Sequence, residues 1–190
     1  MENEIIRLQT RIWWTSKTRM QSEKRLRTYE MLSHVGIALL SVLLIGFTIY
    51  SGPNNPNINA HLITLSVFIT VLSVLIFGFK FGEQATLHRE CYLKLDELRD
   101  SELKYDEMKK SYHKILASYP NHASCDHSRI IINETLFGHG KLQDSNGNEV
   151  KWTLLSALSW FFSYTLPWVL ITFVLAFSLF SPTLMHYIID

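Results

Sequence analysis

The chain has 190 residues, a formal net charge of +1 and a mean hydropathy of +0.08, averages that suit one soluble unit of ordinary domain size. The distribution excludes that reading. No Asp, Glu, Lys or Arg occurs among the 49 residues from Met31 to Phe79 or the 38 from Trp152 to Ile189. Every charged side chain except Asp190 falls in 1–30 or 80–151, whereas even a buried helix of a soluble domain usually keeps a polar face.

Residues 1–30 predict a basic amphipathic helix. The segment lacks Gly and Pro and carries seven cations (Arg7, Arg11, Lys17, Arg19, Lys24, Arg25, Arg27) against four acids. Such a helix contacts anionic headgroups, at about 1 kcal/mol per basic residue near the surface. Glu23 and Glu30 interrupt the basic cluster and no base-stacking fold accompanies it, so no direct nucleic-acid partner is expected.

Residues 31–81 predict a transmembrane helical hairpin. The run 31–51 makes a helix of about 32 Å at 1.5 Å per residue, enough for a hydrocarbon core of about 30 Å. Gly52, Pro53 and Pro56 among asparagines form an uncharged breaker, and 60–81 gives the second span. The short loop makes the two helices antiparallel neighbours. A buried soluble hairpin would need a surrounding apolar domain, which the polar remainder cannot supply. Ser66, Thr70 and Ser73 lie on one face of the second span, and Ser156, Ser159 and Ser163 repeat the spacing in the third apolar segment. Hydroxyl stripes most often mark tight helix packing, and lining of an oligomeric pore is the functional alternative. Apart from Lys80 at the end of the second span, the spans hold no acidic or basic residue, which disfavours a proton relay or ion-coupled transport.

Residues 82–151 predict a cytoplasmic helix followed by an irregular tail. From 80 to 118 the only breaker is Gly82, and a 4-3 stripe runs through Cys91, Leu95, Leu98, Glu102, Tyr105, Lys109, Tyr112, Leu116 and Tyr119. The stripe wants a partner helix, either the N-terminal one or another copy; Leu95, Leu98, Tyr105, Tyr112 and Leu116 are its expected packing residues. Pro120 stops the helix, Ile130–Ile132 could form a short strand or helix, and Asn146-Gly147 a turn. His122, Cys125 and His127, beside Asp126, are the nearest approach to a metal set. Their spacing matches no closed zinc site, and the preferred reading is a polar cap with Asn121 and Asp126 bonding local backbone. Cys91 and Cys125 are expected as reduced thiols. No cofactor is expected, and no P-loop, GxGxxG, HExxH, GxSxG or paired CxxC motif indicates an enzyme.

Residues 152–190 form a third membrane segment: an interfacial piece over 152–164, rich in Trp and Tyr, a kink at Pro167, then a span to about residue 187. A re-entrant or surface-lying segment is the competing arrangement. The 51–59 loop carries no Lys or Arg, so the positive-inside rule places the N-terminus and 80–151 in the cytoplasm and the C-terminus outside. The fold class expected is an all-α membrane protein, a transmembrane hairpin with flanking cytoplasmic helices and a third C-terminal hydrophobic segment.

The helix RIWWTSKTRMQSEKRLRTYE leads straight into the hairpin, followed by FGEQATLHRECYLKLDEL and YHKILASYPNHASCDH. This order resembles the SLATT family, the SMODS- and SLOG-associating two-transmembrane effector domains of bacterial anti-phage conflict systems, over about residues 5–130. Arg11, Trp13, Arg25, Leu26, Tyr92, Leu95, Tyr119, Asn121, His122 and Asp126 sit at the family's recurrent positions, while the third apolar segment departs from the two-span pattern. The resemblance implies a non-enzymatic effector in the bacterial inner membrane, a homo-oligomer in contact with the lipid bilayer. A sensor partner, such as a nucleotide second-messenger synthase or a reverse transcriptase, triggers it to permeabilise the membrane and halt the cell. A membrane-anchored scaffold recruiting a soluble partner through 80–151 is the alternative.

Overall fold

The computed structural model describes residues 2–51, 56–138, 142–145 and 147–189, so the breaker around Pro53 and the turn residue Asn146 lie outside the described residues. The chain is an all-α membrane protein. The order is α1 (Glu2–Ser51), α2 (Pro56–Phe79), α3 (Phe81–Arg99), α4 (Tyr105–Ser118), α5 (Ser124–Ile132), which runs into a π-helical turn (Asn133–Phe137), and α6 (Leu154–Ile189). Three of the helices contain stretches long and apolar enough to cross a membrane. Among the described residues the only β pairing is a bridge between Gln143 and Glu149, whose turn contains Gly147 at φ 84°.

The chain divides into two compact bodies. One comprises residues 1–27 and 82–164, the other residues 28–81 and 165–190. The second body holds only three charged residues, Glu30, Lys80 and Asp190.

In the apolar body, Leu40 of α1 packs with Leu65 and Ile69 of α2, and Ile37, Leu44, Leu72, Val174 and Leu175 close around them. The inward residues recur at helical spacing: 37, 40 and 44 on α1; 65, 69 and 72 on α2. The opposite faces stay apolar and open. Val42 is 65% exposed, Ile49 79% and Phe77 82%. Water would penalise such a surface by roughly 25 cal/mol per Å², whereas lipid imposes no such cost. Gly36 is where α1 meets α6: a Cβ there would lie 3.1 Å from Ile171 Cδ1. α2 ends at Lys80, whose φ of 50° is left-handed, a conformation that costs a non-glycine residue roughly 1–2 kcal/mol.

In the charged body the 4-3 stripe is cut in two. A single helix over 80–118 is not what forms; α3 stops at Arg99 and α4 starts at Tyr105. Ser101 bonds back to the Leu98 carbonyl through both its amide (3.3 Å) and its hydroxyl (2.6 Å), the competition with the helix ladder that Ser and Asp offer. The break lets both halves bury their apolar sides together. Leu8 and Ile12 of α1, Cys91, Leu95 and Leu98 of α3, and Met108 and Tyr112 of α4 form one core, with Tyr105, Ile115, Leu116 and Tyr119 packed against it. Met108 therefore takes the buried place that an unbroken stripe gives to Lys109, and Glu102 and Lys109 are exposed. Lys94 Nζ donates to Tyr119 Oη at 2.7 Å across the α3–α4 pair. The tail after Pro120 is not wholly irregular either. Ile130, Ile131 and Ile132 of α5 are buried, a gain that a disordered tail would forgo.

α6 runs as one helix through Pro167, with its first part, to Tyr164, in the charged body. There the Arg129 guanidinium lies over the Tyr164 ring at 5.9 Å.

Replacing Gly36 by Val should wedge α1 from α6. Overpacking of this kind costs about 1–3 kcal/mol, so the unfolding midpoint of the purified protein in detergent should fall, whereas Gly46→Val, with nothing within 4 Å, should leave it nearly unchanged.

Candidate functional site

The inward face of α1 in the charged body changes character along its length. Leu8 and Ile12 are apolar; then come Ser16, Arg19 and Ser22 at three-residue spacing, each no more than 1% exposed. Opposite them stand His88 of α3 (3% exposed) and Asp126 of α5 (0%). A charged carboxylate and a charged guanidinium are thus both fully enclosed, which is costly unless each is met by partners.

Asp126 is met on all sides. Arg25 grips it bidentately, Nε to Oδ1 at 2.8 Å and Nη2 to Oδ2 at 3.0 Å. Ser22 donates to Oδ2 at 2.7 Å, and the Ala123 amide at the start of α5 donates to the same oxygen at 3.2 Å. Burial alone would raise the Asp126 pKa; the hydrogen bonds from Arg25 and Ser22 and the Arg25 charge outweigh it and hold the carboxyl below its ordinary value. One aspartate thereby caps α5 and ties it to α1.

Arg19 is less well served. Its Nη1 lies 3.4 Å from His88 Nδ1, which must be unprotonated to accept, and its Nε finds no hydrogen-bond partner among the described residues. Burial lowers the Arg19 pKa, opposed by Cys91, Tyr112 and Asp126. A guanidinium stays protonated in a protein even so. Burial, then the Arg19 charge, lowers His88 to about 4. His122 is lowered by burial and by Arg19, and His127 by burial. The centre is one buried carboxylate gripped by the half-buried Arg25, with the buried Arg19 guanidinium beside His88 in the same enclosure and imidazoles whose pKa values burial lowers.

Outer contacts fix the helices that carry these groups. Ser16 Oγ donates to Asp96 at 2.8 Å, and Thr15 and Tyr112 hydroxyls meet at 2.9 Å. Trp14 Nε1 donates to the Gln143 carbonyl at 2.9 Å while its ring lies 5.2 Å from that of His127.

The residues singled out in the sequence fall in different places. Leu95, Leu98 and Tyr112 are buried in the charged body's core, and Tyr105 and Leu116 are half-buried at its edge. Among the described residues no three His, Cys, Asp or Glu side chains come together to hold a metal, so His122, Cys125 and His127 do not assemble with Asp126. The His127 ring lies tilted against that of Trp14, and Asp126 is committed to α1. The hydroxyl stripe of α2 turns to its own backbone: Ser66 Oγ donates to the Ile63 carbonyl (2.7 Å), Thr70 to Ser66 (2.9 Å) and Ser73 to Ile69 (2.7 Å). The residues that pack α2 are instead Leu65, Ile69 and Leu72, beside the stripe. In α6, Ser156 exchanges bonds with Thr153 as a cap, Ser163 donates to the Trp160 carbonyl at 2.9 Å, and Ser159 is half-buried. Ser156, Ser159 and Ser163 belong to the charged body and Ser66, Thr70 and Ser73 to the apolar one.

Two measurements probe the centre. Asp126→Asn removes the carboxylate that Arg25 grips and should cost about 3–5 kcal/mol, while the paired change Arg25→Met with Asp126→Leu should cost far less, because neither charge of that pair is left stranded. Thermal unfolding of these variants and of the single changes Arg25→Met and Asp126→Leu, which complete a double-mutant cycle, reads the difference. For pH, the folded-state pKa of His88 lies near 4, below the unfolded value near 6.5. Between those values the unfolded chain binds more protons, so stability is complete above pH 6.5 and is lost as pH falls toward 4. His122 and His127 act in the same direction. His88→Gln, still able to accept from Arg19, should flatten the decline between pH 6.5 and 4.5 in unfolding measurements.

Over residues 1–180 the chain matches SMODS and SLOG-associating 2TM effector domain family 5. No curated protein and no solved structure matches it. The match runs well beyond residues 5–130 and takes in the third apolar helix as far as residue 180, so that helix falls within the family pattern instead of departing from it. The chain belongs to family 5 of the SMODS and SLOG-associating two-transmembrane effector domains.

Proposed function

We propose that the protein is a non-enzymatic membrane effector of a bacterial anti-phage defence system, which assembles into oligomers and permeabilises the inner membrane when a sensor partner triggers it. Membership of a family of membrane effector domains carries this reading, and the family's association with SMODS and SLOG domains supplies the class of partner. The positive-inside distribution of Lys and Arg supports a cytoplasmic N-terminus and charged body and an external C-terminus.

The packing of the apolar body limits how a leak can form. Its centre is filled by Leu40, Leu65 and Ile69, which offer water no hydrogen bonds. The aqueous path therefore runs between copies of the chain and not through one copy. In such an assembly the flank of α2 bearing Ser66, Thr70 and Ser73 faces the path, and hydroxyls rotated off their own carbonyls wet it. The scaffold alternative asks residues 80–151 to recruit a soluble partner; within them the apolar 91–119 stripe is already covered by Leu8 and Ile12 of the same chain, so a partner would have to dock on another part of that segment.

Cells carrying the protein with its trigger, or with enforced clustering, should lose membrane potential and stop growing. Ser66→Leu, Thr70→Leu and Ser73→Leu together should keep the protein inserted and suppress the leak at least tenfold in dye uptake. A triple variant that depolarises like the parent removes the stripe from the mechanism. A triggered, assembled parent that leaves the potential unchanged removes the effector function. Thiol labelling of Ser118→Cys from the cytoplasmic side alone is the expected orientation result, and labelling from outside reverses it.

A further inference from the structure

α1 is unbroken from Glu2 to Ser51 and turns one face inward in both bodies. At about 100° per residue, Ile12, Ile37, Leu40 and Leu44 all lie within about 40° of Leu8 around the helix axis. Leu8 and Ile12 pack with α3 in the charged body, and Ile37, Leu40 and Leu44 with α2 in the apolar body. One stripe in constant phase thus serves two partner helices.

The partner side is out of step. Ile69 and Leu72 of α2 lie within about 40° of Leu65. Counted onward as one helix, Cys91, Leu95 and Leu98 of α3 fall about 60–120° round from Leu65, on a different face. With one residue left out of the count, all three return to within about 40° of it. The surplus is therefore a single residue, and the backbone shows which. Only Lys80 separates α2 from α3, and among the described residues it alone combines a side chain with a positive φ, 50°. Its amide bonds back to the Phe77 carbonyl at 3.3 Å, closing α2 before α3 begins. Gly78 and Gly82 flank it, and glycine weakens a helix from inside, so the break sits in soft backbone.

Local preference and tertiary burial oppose each other at this residue. Lysine favours right-handed over left-handed backbone, and helix lies on both sides of it. With Lys80 left-handed, the Cys91–Leu95–Leu98 stripe is buried with Leu8 and Ile12. With Lys80 right-handed, Pro56 to Arg99 becomes one helix and the stripe turns by about 100° away from that face of α1. An element with two such discrete arrangements is the raw material of a switch.

We propose that Lys80 is a conformational switch: left-handed, it docks α3 on α1; absorbed into a continuous α2–α3 helix, it rotates α3 off α1 and uncovers Cys91, Leu95 and Leu98. The device stands whether or not a membrane leak follows.

Cys91 reports the switch, because it is fully buried when α3 is docked. In the Cys125→Ser protein in lipid nanodiscs, at low maleimide concentration, the rate of Cys91 labelling follows the undocked population. Lys80→Gly, at ease in the left-handed region, should slow labelling about fivefold, and Lys80→Val, strongly disfavoured there, should speed it about fivefold or more. Deletion of Lys80 separates a switch from a simple turn. With the surplus residue gone, both stripes stay in phase on one continuous helix, so Cys91 should remain as protected as in the parent and the unfolding midpoint should not fall. Exposure of Cys91 in the deletion variant overturns the proposal, since the turn itself, and not the residue count, would then dock α3. Equal labelling rates for Lys80→Gly and Lys80→Val overturn it as well. Should the deletion variant fail to insert, the Gly and Val pair decides alone.

Discussion

The charged body is organised around one carboxylate taken wholly out of water. Asp126 accepts from Arg25, Ser22 and the Ala123 amide, so the same two oxygens start α5 and fasten it to α1. Desolvating a carboxylate is expensive, and only the bidentate guanidinium and the extra donors make the ionised form the stable one. Arg19 lies in the same enclosure with its Nε unpartnered among the described residues. Polar contacts thus fasten α5 to α1, and the Leu–Ile–Met core joins α1, α3 and α4.

The apolar body obeys a different constraint. Its helices must satisfy every backbone and hydroxyl group without water, and its outward faces can be as hydrophobic as its core. Close packing is therefore local, at Gly36 against Ile171 and around Leu40, and elsewhere lipid completes the surface.

How legible this was in the sequence depended on the kind of signal. Long charge-free runs read directly as spans, because composition over 20 residues outweighs any local detail. The packing of Leu95, Leu98 and Tyr112 followed from helical spacing, but the turn at Asp100–Ser101 did not, since neither Gly nor Pro marks it. The centre was hardest to see. Arg19 was one cation among seven on a helix whose basic character topology already explained, and Asp126 stood beside two histidines and a cysteine that suggested a metal. The Ala123 amide is the local backbone partner expected of a polar cap, but Arg25 and Ser22 lie about 100 positions away. The usable clue was the run Leu8, Ile12, Ser16, Arg19, Ser22, one helical face that turns polar without leaving the interior.

The backbone-bonded hydroxyls of α2 bear on how the protein is made. A polar side chain that needed a partner helix would hinder a newly synthesised span from entering the bilayer by itself. Ser66, Thr70 and Ser73 carry their acceptors with them, so α2 can leave the insertion machinery as a single copy with its polar debts already settled. For a protein whose proposed action begins with assembly, that separates biogenesis from activity: copies can accumulate in the membrane one at a time, each self-sufficient until something brings them together.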